Sequence, residues 1–242
     1  MNIFRFRTVL ILLIGSLFSF VNNSAQADND LINDSGLWSQ IEGHFDLGKL
    51  DPKLDRFLLL GTGEARFFED FDRFTQGIIR IMPGYQYSDE ISLFFGYTWV
   101  PTVLDNGQTH HEHDINQAMY WTKPQSWGTL STRTMIEWRF VNDDSQMATR
   151  VRQRIRGKYQ LSQIHPYLHL VGWEEIFLNV YSVDWGPQSG FDQNRVFAGL
   201  GWQFDPGGHY WFEVGYMNQY IHHPDDKDLM NHMLLGSLQF KF

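Results

Sequence analysis

Five cations stand at every second position of the segment "RVRQRIRGK": Arg150, Arg152, Arg154, Arg156 and Lys158. We call them the cation row. Such groups can form ion pairs with carboxylates or attract anions, and a basic segment often indicates a nucleic-acid site or a solvated tail. Nucleic acid is disfavoured here, because the chain is acidic, with 28 Asp and Glu against 19 Lys and Arg. The spacing instead indicates a β-strand, where residues two apart point the same way.

A second candidate for chemistry is the segment His110, His111, Glu112 and His113. Its residue types suit zinc or nickel. Adjacent ligands in a mobile loop rarely make a closed site, so we interpret this segment as a solvated loop. The pair His222 and His223 receives the same interpretation, and we assign no metal ligand.

Candidates for catalysis are weak. Ser131 and His169 could share one face of a sheet, but they lie two strands apart. Neither a G-x-S-x-G motif nor a Walker phosphate loop is present in the sequence. Glu137, Glu175 and Glu213 could supply an acid pair, yet nearby arginines make ion pairing the simpler interpretation. The sequence therefore predicts a non-enzymatic protein without catalytic residues or a cofactor.

The N-terminal residues and the lack of cysteine indicate the compartment. Arg5 and Arg7, an apolar core and "AQA" predict a secretory signal over residues 1–27, cleaved after Ala27. The alternative is an uncleaved membrane anchor. The sequence contains no cysteine, which excludes disulfides, thiol nucleophiles, metal sites with cysteine ligands and lipid anchors on cysteine. Later residues include no apolar run of 18, so we expect no helical span. Residues 28–242 contain no linker and no shift in composition, so we expect a single domain.

Alternation with period two runs through most of that domain and predicts strands. Turn sequences such as "YSDE", "NDDS" and "DPGG" separate them. We expect an all-β fold, an antiparallel transmembrane β-barrel of about 10–12 strands. Eleven segments are discernible, but bacterial barrels have even strand numbers, so we expect 10 or 12, with the misfit before residue 55. The segments lie near 37–47, 55–68, 74–87, 91–100, 113–121, 128–141, 147–160, 165–178, 192–204, 209–220 and 231–242.

In a membrane barrel the cation row must face inward. Each Arg or Lys on the lipid side at mid-membrane would cost about 2–4 kcal/mol, or about 10–20 kcal/mol for five. The same alternation assigns an inward face to every strand, and cations outnumber acids on these faces. The predicted lumen-lining ladder comprises Arg66, Arg80, Arg133, Glu137, Arg139, Arg150, Arg152, Arg154, Arg156, Lys158, Glu175, Arg195 and Glu213. Most of these groups should fill a narrow barrel as ion pairs.

Two details test the local register. If "NDDS" closes a hairpin, Glu137 lies opposite Arg150, and Arg133 lies opposite Arg154. The second pair is like-charged and needs an acid from another strand. On the next strands, Gln153 falls on the lipid side, and Glu174 and Glu175 cannot both face inward without a bulge.

A soluble barrel with the faces inverted is the structural alternative. Two features favour the membrane barrel. Outward aromatics such as Tyr85, Trp99 and Tyr210 gather near strand ends, as in interfacial girdles. The sequence also ends on Phe242 after an alternating strand, which resembles the terminal signature of outer-membrane barrels.

Several segments together are similar to one bacterial family. They are "RIMPGYQYSDEISLFFGYTWV", "RTMIEWRF", "RVRQRIRGK", "FDQNRVFAGLGWQF" and "EVGYMNQY". In this order they resemble domain of unknown function 2490, over nearly the whole domain. The resemblance implies an outer-membrane β-barrel without an assigned activity, and it supplies no catalytic residues.

Three functions remain open at this point. The first is a non-enzymatic outer-membrane barrel, either a narrow anion-preferring pore or a structural or docking protein. The second is an outer-membrane lipid-modifying hydrolase, and the third is a soluble periplasmic ligand-binding barrel. The expected partners are outer-membrane lipid and the barrel assembly machinery, through the C-terminal strand that ends in Phe242.

Overall fold

The computed structural model describes residues 31–224 and 226–242 and folds them into a closed barrel of eleven strands. The predicted signal peptide, residues 1–27, lies outside the described residues. The strands are β1 (Leu31–Asp46), β2 (Phe57–Phe68), β3 (Arg73–Gln86), β4 (Ile91–Val103), β5 (Thr109–Gln125), β6 (Gly128–Val141), β7 (Ala148–Gln160), β8 (Leu168–Asn179), β9 (Gly190–Gln203), β10 (Tyr210–Ile221) and β11 (Asp228–Lys241). Two 3-10 turns, Leu47–Lys49 and Pro52–Leu54, join β1 to β2. Within these ranges, no helix has the length and apolar character needed to cross a membrane.

The first and last strands close the barrel, and they run parallel to each other. Their pairing extends from Leu31 opposite Asp228 to His44 opposite Lys241. The expectation of an even strand number, 10 or 12, is therefore wrong, although all eleven predicted segments form strands. Successive antiparallel strands alternate in direction, so the first and the eleventh run the same way and can only pair in parallel.

Phe242 joins the two closing strands at one end of the barrel. Its N–H donates to the His44 carbonyl at 2.9 Å, and its own carbonyl accepts from the Asp46 N–H at 2.7 Å. Its ring stacks on Phe45 and lies edge-on to Tyr210, with centroids 6.0 and 5.7 Å apart. The region before residue 55, where the sequence assignment was incomplete, thus supplies the strand that closes the barrel.

The barrel has an apolar outer surface and a charged interior. Outward side chains such as Ile81 and Phe95 are 56% and 54% exposed, whereas Arg80 and Arg195 are each 6% exposed. This distribution follows from the alternation of side chains along each strand. It is the orientation of the faces that the sequence predicted for a membrane barrel, and the inverted arrangement is not observed.

Apolar side chains fill part of the interior beside the ion pairs. One cluster is formed by Leu60, Met82, Phe94, Ala118 and Met135, and the other by Trp38, Val171, Phe197, Trp211, Met217, Met233 and Leu235. Glycines make room for the large rings. A Cβ atom on Gly201 would lie 2.3 Å from the Trp211 ring, so this position leaves no space for a side chain. Filling of this kind is typical of narrow barrels.

Candidate functional site

The cation row lies on β7 and points into the barrel. Arg150 Nη1 lies 3.3 Å from Asp192 Oδ2 on β9, and Arg156 forms an ion pair with Glu213 on β10. The neighbours of β7 are β6 and β8, so a contact with β9 or β10 must cross the interior. The row therefore reaches carboxylates two and three strands away as well as those on adjacent strands.

The β6–β7 hairpin has the register that the "NDDS" turn predicts. Arg133 lies opposite Arg154, and the acid that this like-charged pair needs comes from β8. Glu175 is the register partner of Arg154 across β7 and β8, and its Oε1 lies 2.5 Å from Arg133 Nη2. The two predicted pairs, Glu137–Arg150 and Arg133–Arg154, are confirmed.

Glu137 is one centre of the charged network. Its side chain is fully buried, and its carboxylate lies 2.7 Å from Arg150 Nη2 and 2.6 Å from Arg152 Nη1. Arg80, from β3 on the other side of the interior, approaches to 3.7 Å. An unpaired buried carboxylate would cost several kcal/mol, so three guanidinium groups around one carboxylate keep this group charged and in place.

Glu175 is the second centre, and Arg152 connects the two. Arg152 Nη2 lies 3.0 Å from Glu175 Oε1 while its Nη1 contacts Glu137. Arg133 completes the group on the β6 side. These residues join Arg80 and Arg150 in one continuous ion-pair network inside the barrel.

Aromatic rings hold two further interior cations, Arg66 on β2 and Arg195 on β9. Arg66 binds Glu64 at 2.9 Å, and its guanidinium carbon lies 3.6 Å from the centre of the Trp38 ring. Arg195 lies between the rings of Trp38 and Phe177, at 4.8 and 4.5 Å. Cation–π contacts in a desolvated site contribute about 2 kcal/mol or more. Sequence reasoning missed both rings, because it followed only the charges along the inward positions.

The remaining predicted cations lie nearer the strand ends. Arg139 forms a two-point ion pair with Glu112, with both N–O distances 2.7 Å. Lys158 lies over the ring of Trp211, 4.6 Å from its centre. With these, the structure brings all thirteen residues of the predicted ladder into the interior: Arg66, Arg80, Arg133, Glu137, Arg139, Arg150, Arg152, Arg154, Arg156, Lys158, Glu175, Arg195 and Glu213.

Two carboxylates that bind interior arginines, Glu112 and Asp192, were not expected on the inner face. Glu112 was assigned to a loop, although alternation from Asp114 places it on the inner face. Asp192 is an extra residue where the register between β8 and β9 shifts, and this bulge turns it toward Arg150. These acids reduce the cationic surplus that the sequence predicted for the interior.

The histidine-rich segment is part of a strand, so its interpretation as a loop was wrong. Pairing between β4 and β5 continues to Val103 opposite Thr109, which makes residues 110–113 alternate between faces. The rings of His111 and His113 stack on Trp99 and Tyr97, with centroids 5.8 and 6.0 Å apart. Among the described residues, no three metal-ligating side chains gather into a group.

The other candidates for chemistry are held apart or occupied. His169, on β8, contacts the Trp211 ring and lies 3.3 Å from the Tyr167 carbonyl, two strands away from Ser131 on β6. The three glutamates considered as an acid pair each bind arginine: Glu137, Glu175 and Glu213. The geometry supports a filled, ion-paired interior.

Comparisons with known proteins place the chain in a family. An uncharacterized protein of Methylorubrum extorquens, MexAM1_META1p0181, is 27% identical over 209 residues, which cover 86% of this chain and 87% of the relative. A crystal structure of Pseudomonas aeruginosa OccK3 (OpdO) is matched over 72% of this chain and 63% of that chain, less than two thirds of its length. Its TM-score of 0.31 and identity of 9% are too low to support an inference. The family model described as "Protein of unknown function (DUF2490)" matches residues 35–231, as the sequence resemblance predicted, and the chain belongs to this family.

Proposed function

We propose that this chain is a non-enzymatic β-barrel of the bacterial outer membrane whose interior is blocked by ion pairs. The observation that carries the proposal is the distribution of side chains in a closed barrel, with charged groups inside and large apolar side chains outside. A closed barrel is one of the two structures that satisfy every backbone hydrogen bond in lipid. The predicted secretory signal, residues 1–27, would direct the chain to the envelope.

Aromatic side chains near the strand ends support a membrane location. Tyr85, Tyr87 and Phe204 are outward and exposed at the end where Phe242 lies, and Phe140 is exposed toward the other end. Aromatic girdles of this kind flank the lipid-facing band of membrane barrels. The partners proposed for this chain are therefore outer-membrane lipid and, through β11 and Phe242, the assembly machinery for such barrels.

The interior supports a structural or docking role over an open pore. Glu137 and its three arginines connect β3 to β7 across the lumen. Each of these four side chains is at most 13% exposed. Solute would have to displace these pairs. If the barrel opens, the excess of arginines over carboxylates on its inner surface would concentrate anions. A low-dielectric wall that carries charges of one sign attracts ions of the opposite sign.

Fractionation tests the location. We expect the protein in the outer-membrane fraction, with a gel mobility that changes on boiling because the folded barrel resists unfolding in detergent. Recovery in the soluble periplasm without a mobility change would support the soluble ligand-binding alternative instead. Lipid analysis of a deletion strain checks the hydrolase alternative, and an altered lipid profile that purified protein reproduces would favour an enzyme.

Planar bilayer recordings test the interior. The wild-type barrel should conduct little, and any open state should have a reversal potential on the anion side of a salt gradient. Replacing Arg152 and Arg154 with Gln should weaken that preference, whereas Lys123→Gln, at an exposed position, should not. A large, constantly open or cation-selective conductance would contradict the proposal.

A further inference from the structure

Four polar side chains interrupt the apolar outer surface on β6 to β9. They are Thr134, Gln153, Glu174 and Asn194, and we call them the outer polar band. Thr134 Oγ1 donates to Gln153 Oε1 at 2.6 Å, and Asn194 Nδ2 donates to Glu174 Oε1 at 3.1 Å. None of the four belongs to the interior network described above.

The band faces outward because the register of its strands is continuous there. Arg152 and Arg154, which flank Gln153, point inward, and so does Glu175 beside Glu174. The register between β8 and β9 shifts only after Phe177, so no bulge turns Glu174 inward. A glutamate therefore stands on the outer surface, near the middle of β8.

The surroundings of Glu174 are apolar. Its register partner on β7, Ile155, is 49% exposed, and Leu178 and Leu200 on the same surface are 46% and 47% exposed. This inference rests on the proposed membrane location. In hydrocarbon, polar groups that lack a partner carry a large desolvation cost.

Hydrogen bonds within the band satisfy only part of its capacity. Asn194 is the one described residue that donates a hydrogen bond to the Glu174 carboxyl group, which can accept about four. Among the residues that the structure describes, the Gln153 side-chain amide donates to the Arg154 carbonyl alone, at 3.3 Å. The band thus offers unused donors and unused acceptors at the middle of two adjacent strands.

We propose that the outer polar band is the contact between two copies of this chain in the membrane. A two-fold axis along the membrane normal, passing between β7 and β8, brings Gln153 of each copy toward Glu174 of the other. The amide then donates to the carboxyl group twice, once in each direction, as an isologous interface requires. A second copy in the same orientation necessarily presents these groups at the same depth. Lipid chains present none, which favours a copy over lipid as the occupant.

Single-cysteine crosslinking tests the contact, because the chain has no Cys of its own. Ile155→Cys places a thiol beside the proposed axis without altering the band. Ile79→Cys is the matched control, since Ile79 is 51% exposed near the middle of β3, away from the band. Treatment of membranes with a short bismaleimide should link Ile155→Cys into a species of twice the mass, several-fold more than Ile79→Cys. Adding Glu174→Leu should reduce that product several-fold while the heat-dependent gel shift stays.

The outcomes separate this inference from the proposed function. A folded barrel in the outer-membrane fraction whose Ile155→Cys variant links no better than the control overturns the interface alone. A crosslinked product of another mass overturns it too, since it indicates a different protein as the occupant. Recovery of the chain in the soluble fraction overturns the proposed location and the interface together.

Discussion

Arg133 on β6 lies directly opposite Arg154 on β7, and Glu175, the register partner of Arg154 on β8, forms an ion pair with Arg133. Glu175 binds Arg133 at 2.5 Å and Arg152 at 3.0 Å, so it neutralises a stretch of wall where cations would otherwise face each other. Like charges directly opposite across a ladder are destabilising. The β6–β7 hairpin therefore depends on β8, the neighbouring strand, for the carboxylate that offsets this repulsion.

Removal of the Glu175 charge should destabilise the barrel strongly. Glu175→Gln keeps the shape but leaves three buried guanidinium groups with one carboxylate fewer. We expect a loss of about 3–5 kcal/mol in the free energy of unfolding, as for other broken buried pairs. Urea unfolding in detergent, followed by tryptophan fluorescence, measures the change.

The control for that experiment is Glu69→Gln. Glu69 also binds an arginine, Arg73 at 2.6 Å, but its side chain is 60% exposed. Exposed pairs contribute about 0–1 kcal/mol, so this variant should unfold nearly as the wild type does. If Glu175→Gln and Glu69→Gln lowered the free energy of unfolding equally, the stability of the interior network would not depend on the Glu175 charge.

Alternation and turn chemistry were enough to predict most of this barrel. The inward position of Glu137 and its pairing with Arg150 follow from period two and the "NDDS" turn alone. Asp192 could not be predicted, because a bulge depends on how two strands twist against each other rather than on residue type. The parallel closure was not predicted, because bacterial outer-membrane barrels ordinarily have an even number of strands and close with an antiparallel pair.

A disulfide across the closing strands tests the parallel closure. Leu37 and Leu234 are register partners with outward side chains, so Leu37→Cys with Leu234→Cys should form a bond under mild oxidation. Neighbouring strands lie about 4.8 Å apart, within reach of disulfide geometry. Mass spectrometry of peptides from folded protein detects the link.

Leu37→Cys with Leu238→Cys serves as the mismatched pair, because Leu238 lies four residues further along β11. The displacement is about 13 Å, too long for a disulfide. A barrel of ten strands that excluded β1 would link neither pair. Preferential linkage of 37 to 238 would show that the register of β1 differs from the one described.

The turn between β3 and β4 contains a carboxylate with a perturbed pKa. Trp121 Nε1 donates to Glu90 Oε2 at 2.8 Å, and this hydrogen bond lowers the pKa of Glu90 below its ordinary value, with Lys123 assisting. A lowered pKa in the folded state means that Glu90 stabilises the fold above its ordinary pKa. This contribution disappears as the pH falls through the folded value.

Removal of the donor should reverse this shift. In Trp121→Phe the pKa of Glu90 should rise toward its ordinary value, and carboxyl-carbon NMR titration in detergent measures it directly. Trp127→Phe is a suitable control, because the Trp127 ring stacks on Tyr159, whereas the indole that donates to Glu90 is that of Trp121. An unchanged titration of Glu90 in Trp121→Phe would contradict the role of this hydrogen bond.

Arg152 and Arg154 provide a comparison within the cation row itself. Both point inward from β7, but Arg152 contacts Glu137 and Glu175 at 2.6 and 3.0 Å, whereas no described carboxylate forms an ion pair with Arg154. Arg152→Met should cost about 3–5 kcal/mol, because it leaves two buried carboxylates short of a partner. Arg154→Met removes a cation that faces Arg133, so it should cost less than about 1 kcal/mol or should stabilise the barrel. Urea unfolding of the two variants measures the difference, and equal destabilisation would mean that the row acts through packing volume rather than through paired charge.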